Sequence, residues 1–256
     1  MNPLDLISSG SDTLNAINGI FSLASQQHEL IVTEMHVNSF LPYRIAYDKP
    51  VNPDLMPPDF SSSLSQEWYL SKASEVGFAG SCKMHLAVEN RGSQIACIRS
   101  ISIEKNLLPE IEAKGSICFT TQGSADGEPV RFYCNLDSNQ PSMRRVLLEK
   151  HALVPVGESS YFECGRIEIE PGHTVDIVLY LHARKNAYHC SSIIIRAESR
   201  HNGTYVLNEI DSLDVTVLPL AFIPTSQRYQ PNYSPHPPCL VVEHDNEEEP
   251  YEGIMW

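Results

Sequence analysis

Val175-Asp176-Ile177-Val178-Leu179-Tyr180-Leu181 is the stretch on which the fold turns. Val175, Ile177, Leu179 and Leu181 fall at every second position, and side chains alternate between the two faces of a strand. Pro171-Gly172 sets a turn just ahead of it.

Moving outward, the same period recurs on both sides. Upstream, Cys82, Met84, Leu86 and Val88 alternate, Asn90-Arg91-Gly92-Ser93 reads as a turn, and Ile95–Glu104 follows as the returning strand of a hairpin. Leu30–Val37, Ser39–Ala46, Ile117/Phe119, Val130/Phe132/Cys134 and Ile167/Ile169 have strand character. So do Ile193–Ala197, Tyr205/Leu207 and Leu213/Val215/Val217. Met143–Leu153, between Pro141 and Pro155, is the one interior segment that reads as a short helix. Pro50, Pro53, Pro57 and Pro58 mark a long loop, since proline cannot donate to a ladder.

Met84–Glu104 overlays Ile177–Ala197 at an offset of 93, with Leu86/Leu179, Arg91/Arg184, Cys97/Cys190 and Ile101/Ile194 identical. This offset is close to the ~100 residues of an immunoglobulin-like sandwich. Strand spacing and turns resemble immunoglobulin-like modules in general, without their Cys…Trp…Cys core, because Trp68 and Trp256 do not lie between suitably spaced cysteines. The expected fold is all-β: an antiparallel immunoglobulin-like β-sandwich, as two tandem modules over 29–112 and 113–220, with one large sandwich as the alternative. A helical segment (1–28) precedes them, and a Pro-rich linker and disordered acidic tail (221–256) follows.

The chain carries 18 Lys+Arg against 32 Asp+Glu. Six of the acids (Glu243, Asp245, Glu247, Glu248, Glu249, Glu252) sit in the tail; without them 26 acids still face 18 bases. Such a body repels phosphate backbones, so no nucleic acid is expected as a partner. Seven cysteines without a CxxC pair, most inside apolar runs, read as buried free thiols in a reducing, cytoplasmic or otherwise intracellular setting. The first basic residue is Arg44, so no signal peptide is expected, nor any apolar run long enough for a transmembrane segment.

No GxSxG, GxGxxG or P-loop pattern is present, and no cofactor is expected. Gly157-Glu158-Ser159-Ser160 lacks the second glycine of a nucleophile elbow, and Glu168 and Glu170 belong to the solvent side of their strand. The metal candidates are His182, His189 and Cys190, whose imidazoles a hairpin would set opposite each other; a structural zinc site needs four ligands. His189 and Cys190 are adjacent on a strand, so they face opposite ways and form no nucleophilic dyad.

The ends carry the partner-binding candidates. Leu14, Ile17, Ile20, Phe21 and Leu23 line one side of an amphipathic helix over 12–27, suited to docking on the sandwich or on another subunit. Its polar face has no Lys or Arg, which disfavours membrane insertion. Leu240-Val241-Val242, followed by Glu243 and Asp245, resembles a SUMO-interacting motif, and the terminal Trp256 forms a second apolar hook. It is similar in kind to the acidic, hydrophobic-ended tails of single-stranded-DNA-binding proteins. The expected function is a non-enzymatic interaction or assembly protein that forms homo-oligomers. The rivals are a membrane-active effector and a hydrolase with a site assembled from distant loops.

Overall fold

The structure, a computed structural model, describes residues 29–37, 43–53, 75–119, 129–149, 152–157, 160–199, 203–210, 213–232 and 239–242. The described strands are β1 (Leu30–Val37), β2 (Tyr43–Tyr47), β3 (Glu75–Ala79), β4 (Ser81–Asn90), β5 (Ala96–Leu108), β6 (Gly115–Phe119), β7 (Val130–Asn135) and β8 (Met143–Glu149). They continue as β9 (Ala152–Pro155), β10 (Ile167–Ile169), β11 (Thr174–His182), β12 (Ala187–Ser199), β13 (Gly203–Ile210), β14 (Val215–Leu218), β15 (Arg228–Asn232) and β16 (Cys239–Val242). One helical turn, α1 (Tyr161–Cys164), lies between β9 and β10.

The all-β reading holds. A six-stranded sheet runs β1-β4-β11-β7-β8-β9, and a ten-stranded sheet runs β10-β5-β12-β14-β3-β2-β6-β15-β16, with β13 also pairing with β12. The two sheets share one core. Met84, Leu86, Phe132, Ile177 and Leu179 come from the first, and Ile101, Ile103, Ile193, Ile195 and Val217 from the second. Every one of these is at most 7% exposed.

Two expected hairpins are instead arches. β4 and β5 lie in different sheets, and so do β11 and β12. Each strand pair crosses the sandwich, and the two crossings pair with one another: β4 with β11, and β5 with β12, both antiparallel. The offset of 93 thus has a structural counterpart. Leu86 pairs with Ile177 and Met84 with Leu179, positions that exchange under that offset. Ile101 pairs with Ile195 and Ser102 with Ile194 in the same relation. The repeat forms a local pseudo-twofold inside one sandwich. Both pairings cross the expected boundary at residue 112.

Bulges keep the long strands amphipathic. The β5–β12 register shifts between Cys190 and Ser192 and between Arg196 and Ala197. On β5 the buried positions accordingly change from Ala96 and Ile98 to Ile101 and Ile103. On β12 they change from Cys190 to Ile193, Ile195 and Ala197.

Two further expectations are corrected. Met143–Leu153 is not a helix but most of the β8–β9 hairpin, with Leu147 opposite Val154 and Leu148 opposite Leu153. The linker after Leu220 is not uniformly extended: it makes 3-10 turns at Leu220–Phe222 and Thr225–Gln227, and β15 pairs with both β6 and β16. The expected helix over 12–27 and the acidic residues after Val242 lie outside the described residues.

Candidate functional site

A dense set of polar groups sits where the β11–β12 arch meets the end of β7. Asp137 follows β7, and its carboxylate accepts hydrogen bonds from the backbone N–H groups of Arg184 (2.7 Å), Lys185 (3.0 Å) and Asn186 (3.1 Å). The Tyr188 hydroxyl donates to it as well, at 3.2 Å. Burial pushes this carboxyl up, but the three backbone donors and Tyr188 outweigh it and hold Asp137 below its ordinary range. Beneath it, Lys105 donates to the carbonyls of Leu136 and Ser138 and lies over the Tyr188 ring, 4.3 Å from its centroid. Cys134 and Cys190 are fully buried nearby, and burial drives both thiols up to about 12.

These groups neutralise one another's reactivity. The Asp137 lone pairs are committed to the arch, Lys105 is committed to two carbonyls, and both thiols stay protonated and hence poor nucleophiles. The cluster is a staple for the arch. Replacing Asp137 with Ala strands three backbone donors at a half-exposed position, where water takes up part of the loss. Asp137→Ala is expected to lower stability by about 1–2 kcal/mol in urea unfolding at neutral pH.

The metal candidates are not brought together. His182 ends β11 in one sheet, whereas His189 and Cys190 lie on β12 in the other. His182 is 2% exposed, accepts from Arg184 Nε at 3.1 Å and packs on the Tyr133 ring. His189 faces Asp214, 3.7 Å away, and Cys190 points into the core. Among the described residues no group of three or more His, Cys, Asp or Glu could hold a metal ion. Glu168 is half-exposed and ion-paired with Arg166.

His182 makes the fold acid-sensitive. Burial and the neighbouring Arg184 lower its pKa from 6.5 to about 4. The folded state favours the neutral ring, so the unfolded chain binds the extra proton between these values. The stability contribution is fully present above pH 6.5 and is lost as pH falls towards 4. Denaturant midpoints measured across that interval are expected to fall, and to fall less steeply in His182→Gln.

The outward face of the six-stranded sheet mixes charged side chains (Lys83, Arg131, Arg144, Asp176) with apolar ones. Tyr133, Val146, Leu153, Val178 and Tyr180 form a second buried cluster there. They alternate with core residues such as Phe132 and Leu179 along the same strands. Lys83 is on this face too, 5.5 Å from the Tyr180 ring centroid, and burial with the charge of Arg131 lowers it to about 8.

The β8–β9 hairpin ends this sheet and displays apolar side chains. Leu147 is 45% exposed, Leu148 48%, Val154 38% and Val156 44%. The alternation rules overlooked this surface because they treated the segment as a helix. At the far edge of the other sheet, Leu240 is buried within β16, opposite Pro231 of β15, while Val242 is 40% exposed. The expected hook Leu240-Val241-Val242 therefore completes the chain's own sheet. Leu14, Ile17, Ile20, Phe21 and Trp256 lie outside the described residues.

Among the described residues no helix is long and apolar enough to cross a membrane. No protein-family model, curated protein or solved structure matches the chain.

Proposed function

We propose that this chain is a non-enzymatic assembly protein that associates with a second copy of itself through the β8–β9 edge. The observation that carries this reading is the exposed apolar strip of Leu147, Val154 and Val156 on one face of the open end of the six-stranded sheet, with exposed Leu148 on its other face. Four apolar side chains between residues 147 and 156 exceed the scattered exposure of an ordinary surface. The strip lies on one hairpin, so a twofold contact sets each strip against its own copy. The acidic segment beyond Val242 recruits a basic partner, and the net charge of −14 disfavours nucleic acid in that role.

Sedimentation over a concentration series tests the edge. The wild-type chain is expected to exceed its monomer mass of 28.6 kDa. Leu147→Asp is expected to weaken self-association by about 10–100-fold, from the ~1.5–3 kcal/mol that burial of one leucine contributes. A wild-type chain that stays monomeric at every concentration sinks the proposal.

A further inference from the structure

Register sorts the charges on the outward face of the six-stranded sheet into two ends. One row crosses four strands: Lys83 of β4 is opposite Tyr180 of β11, Tyr180 opposite Tyr133 of β7, and Tyr133 opposite Arg144 of β8. Arg131 occupies the adjoining row, opposite Val178 and Val146. The carboxylates lie at the other end. Asp176 is opposite Ala87, and Glu89 is further along β4, so they sit about 13 and 20 Å from the Lys83 position at strand spacing. Asp176 is engaged by His85 at 3.1 Å and Glu89 by Arg91 at 2.9 Å.

The setting of Lys83 is that of a nucleophilic amine. Its nitrogen lies 5.5 Å from the Tyr180 ring centroid, beside the buried cluster that includes Tyr133 and Val178, and the residue is half-buried. Tyr180 is hydrogen-bonded to Arg131, which holds a guanidinium beside this floor. Same-face neighbours on β4 are Ser81 and His85, and those on β11 are Val178, Tyr180 and His182. An apolar floor and a neighbouring cation both disfavour the ammonium form and leave more of the amine free to attack. Burial first, and then Arg131, lower Lys83 to about 8. Lys105 is lowered as well, but its ammonium is committed to the carbonyls of Leu136 and Ser138. Lys49 and Lys185 are exposed, and Lys114 pairs with Glu112 at 3.4 Å.

We propose that Lys83 is a modification site that captures anionic carbonyl electrophiles, such as a phosphate-bearing aldehyde, with Arg131 drawing the anion. The Nζ lone pair forms the C–N bond while the C=O π pair moves to oxygen. One proton passes from nitrogen to that oxygen, and loss of water with the second N–H proton leaves an imine. The segregation of Lys83, Arg131 and Arg144 from Asp176 and Glu89 favours an electrophile that carries negative charge. Capture does not depend on self-association. Leu148 shares this face, but β8 is three strands from β4, about 14 Å across the sheet.

Pyridoxal phosphate tests this on the full chain at about pH 7.5, with borohydride trapping and peptide mass mapping. There an amine at about 8 is roughly one-quarter neutral, against about one-thousandth for an ordinary lysine. Lys83 is expected to be labelled at least about 10-fold more than Lys49, Lys114 or Lys185, because partial burial offsets some of that ratio. Pyridoxal without the phosphate is expected to label Lys83 several-fold less, and Arg131→Gln to narrow the gap between the two aldehydes. Equal labelling of the four lysines overturns the proposal, and equal capture of the two aldehydes at Lys83 overturns its anionic class. A second measurement on the wild-type chain needs no aldehyde capture: after reductive carbon-13 methylation, the Lys83 signal is expected to titrate at lower pH than those of Lys49, Lys114 and Lys185. Coincident titration of all four also overturns the proposal.

Discussion

Phe132→Ala is expected to cost about 3–5 kcal/mol of folding stability, enough to unfold a sizeable fraction of the protein at ambient temperature. Phe132 is fully buried on β7, between Leu179 of β11 and Arg145 of β8 in register. Its ring meets Tyr161 at 5.3 Å and Phe162 at 5.4 Å, so it ties α1 to the core. Truncation removes the buried ring and leaves a cavity that two flanking strands and a helical turn cannot all close. Urea unfolding followed by tryptophan or tyrosine fluorescence reads the loss. A midpoint within error of wild type would contradict the placement of Phe132 at the centre of the core. Phe132→Leu, which keeps most of the volume, is expected to recover more than half of the loss.

Gly77→Ala is expected to cost about 2–4 kcal/mol, through backbone strain and a steric clash acting together. Gly77 lies on β3 with φ at +153°. A Cβ there would sit 2.6 Å from the backbone oxygen of Thr216 on β14. The neighbouring β3–β14 contact is parallel and consists of Val217 with Phe78 and Leu218 with Ala79. This narrow seam joins β10-β5-β12-β14 to the rest of the ten-stranded sheet. Separating it loosens β2, β3, β6, β15 and β16 while leaving the β4–β11 and β5–β12 pairings in place. Hydrogen exchange distinguishes this from global destabilisation: protection falls first in β2, β3 and β6. Uniform loss in both sheets, or no loss, would show that the seam does not separate two cooperative parts.

The alternation in Val175–Leu181 and Cys82–Val88 was sufficient to identify strands and their buried faces. It could not say what the next strand does. A hairpin and an arch both require an apolar face on the following segment, and they differ only in which sheet receives it. The 93-residue offset is legible as pattern alone: repeated segments fit tandem modules or mutual pairing equally well. The β8–β9 hairpin was misread because both faces of its sheet are buried near β8. Met143 points into the core and Val146 into the outward cluster, so the spacing of three mimics a helix. Pro231 concealed β15, because composition does not reveal that a neighbouring edge accepts a strand. The Asp137 staple was beyond reach, since Asp137 and its Arg184–Asn186 donors are brought together only by folding.

The mutual pairing of the arches sets a timetable for synthesis. β5 meets its partner β12 through pairs such as Ile101–Ile195, so the centre of the ten-stranded sheet cannot form until roughly ninety more residues are made. At ribosomal rates this delay is about 5–20 s. Throughout it, β4 and β5 each carry an apolar face and an unpaired edge, the features that promote association between nascent chains. The fold is thus most exposed before its C-terminal third exists. Slower translation lengthens that interval, and chaperone occupancy on ribosome-bound chains is expected to peak after β5 emerges and decline once β12 has cleared the exit tunnel.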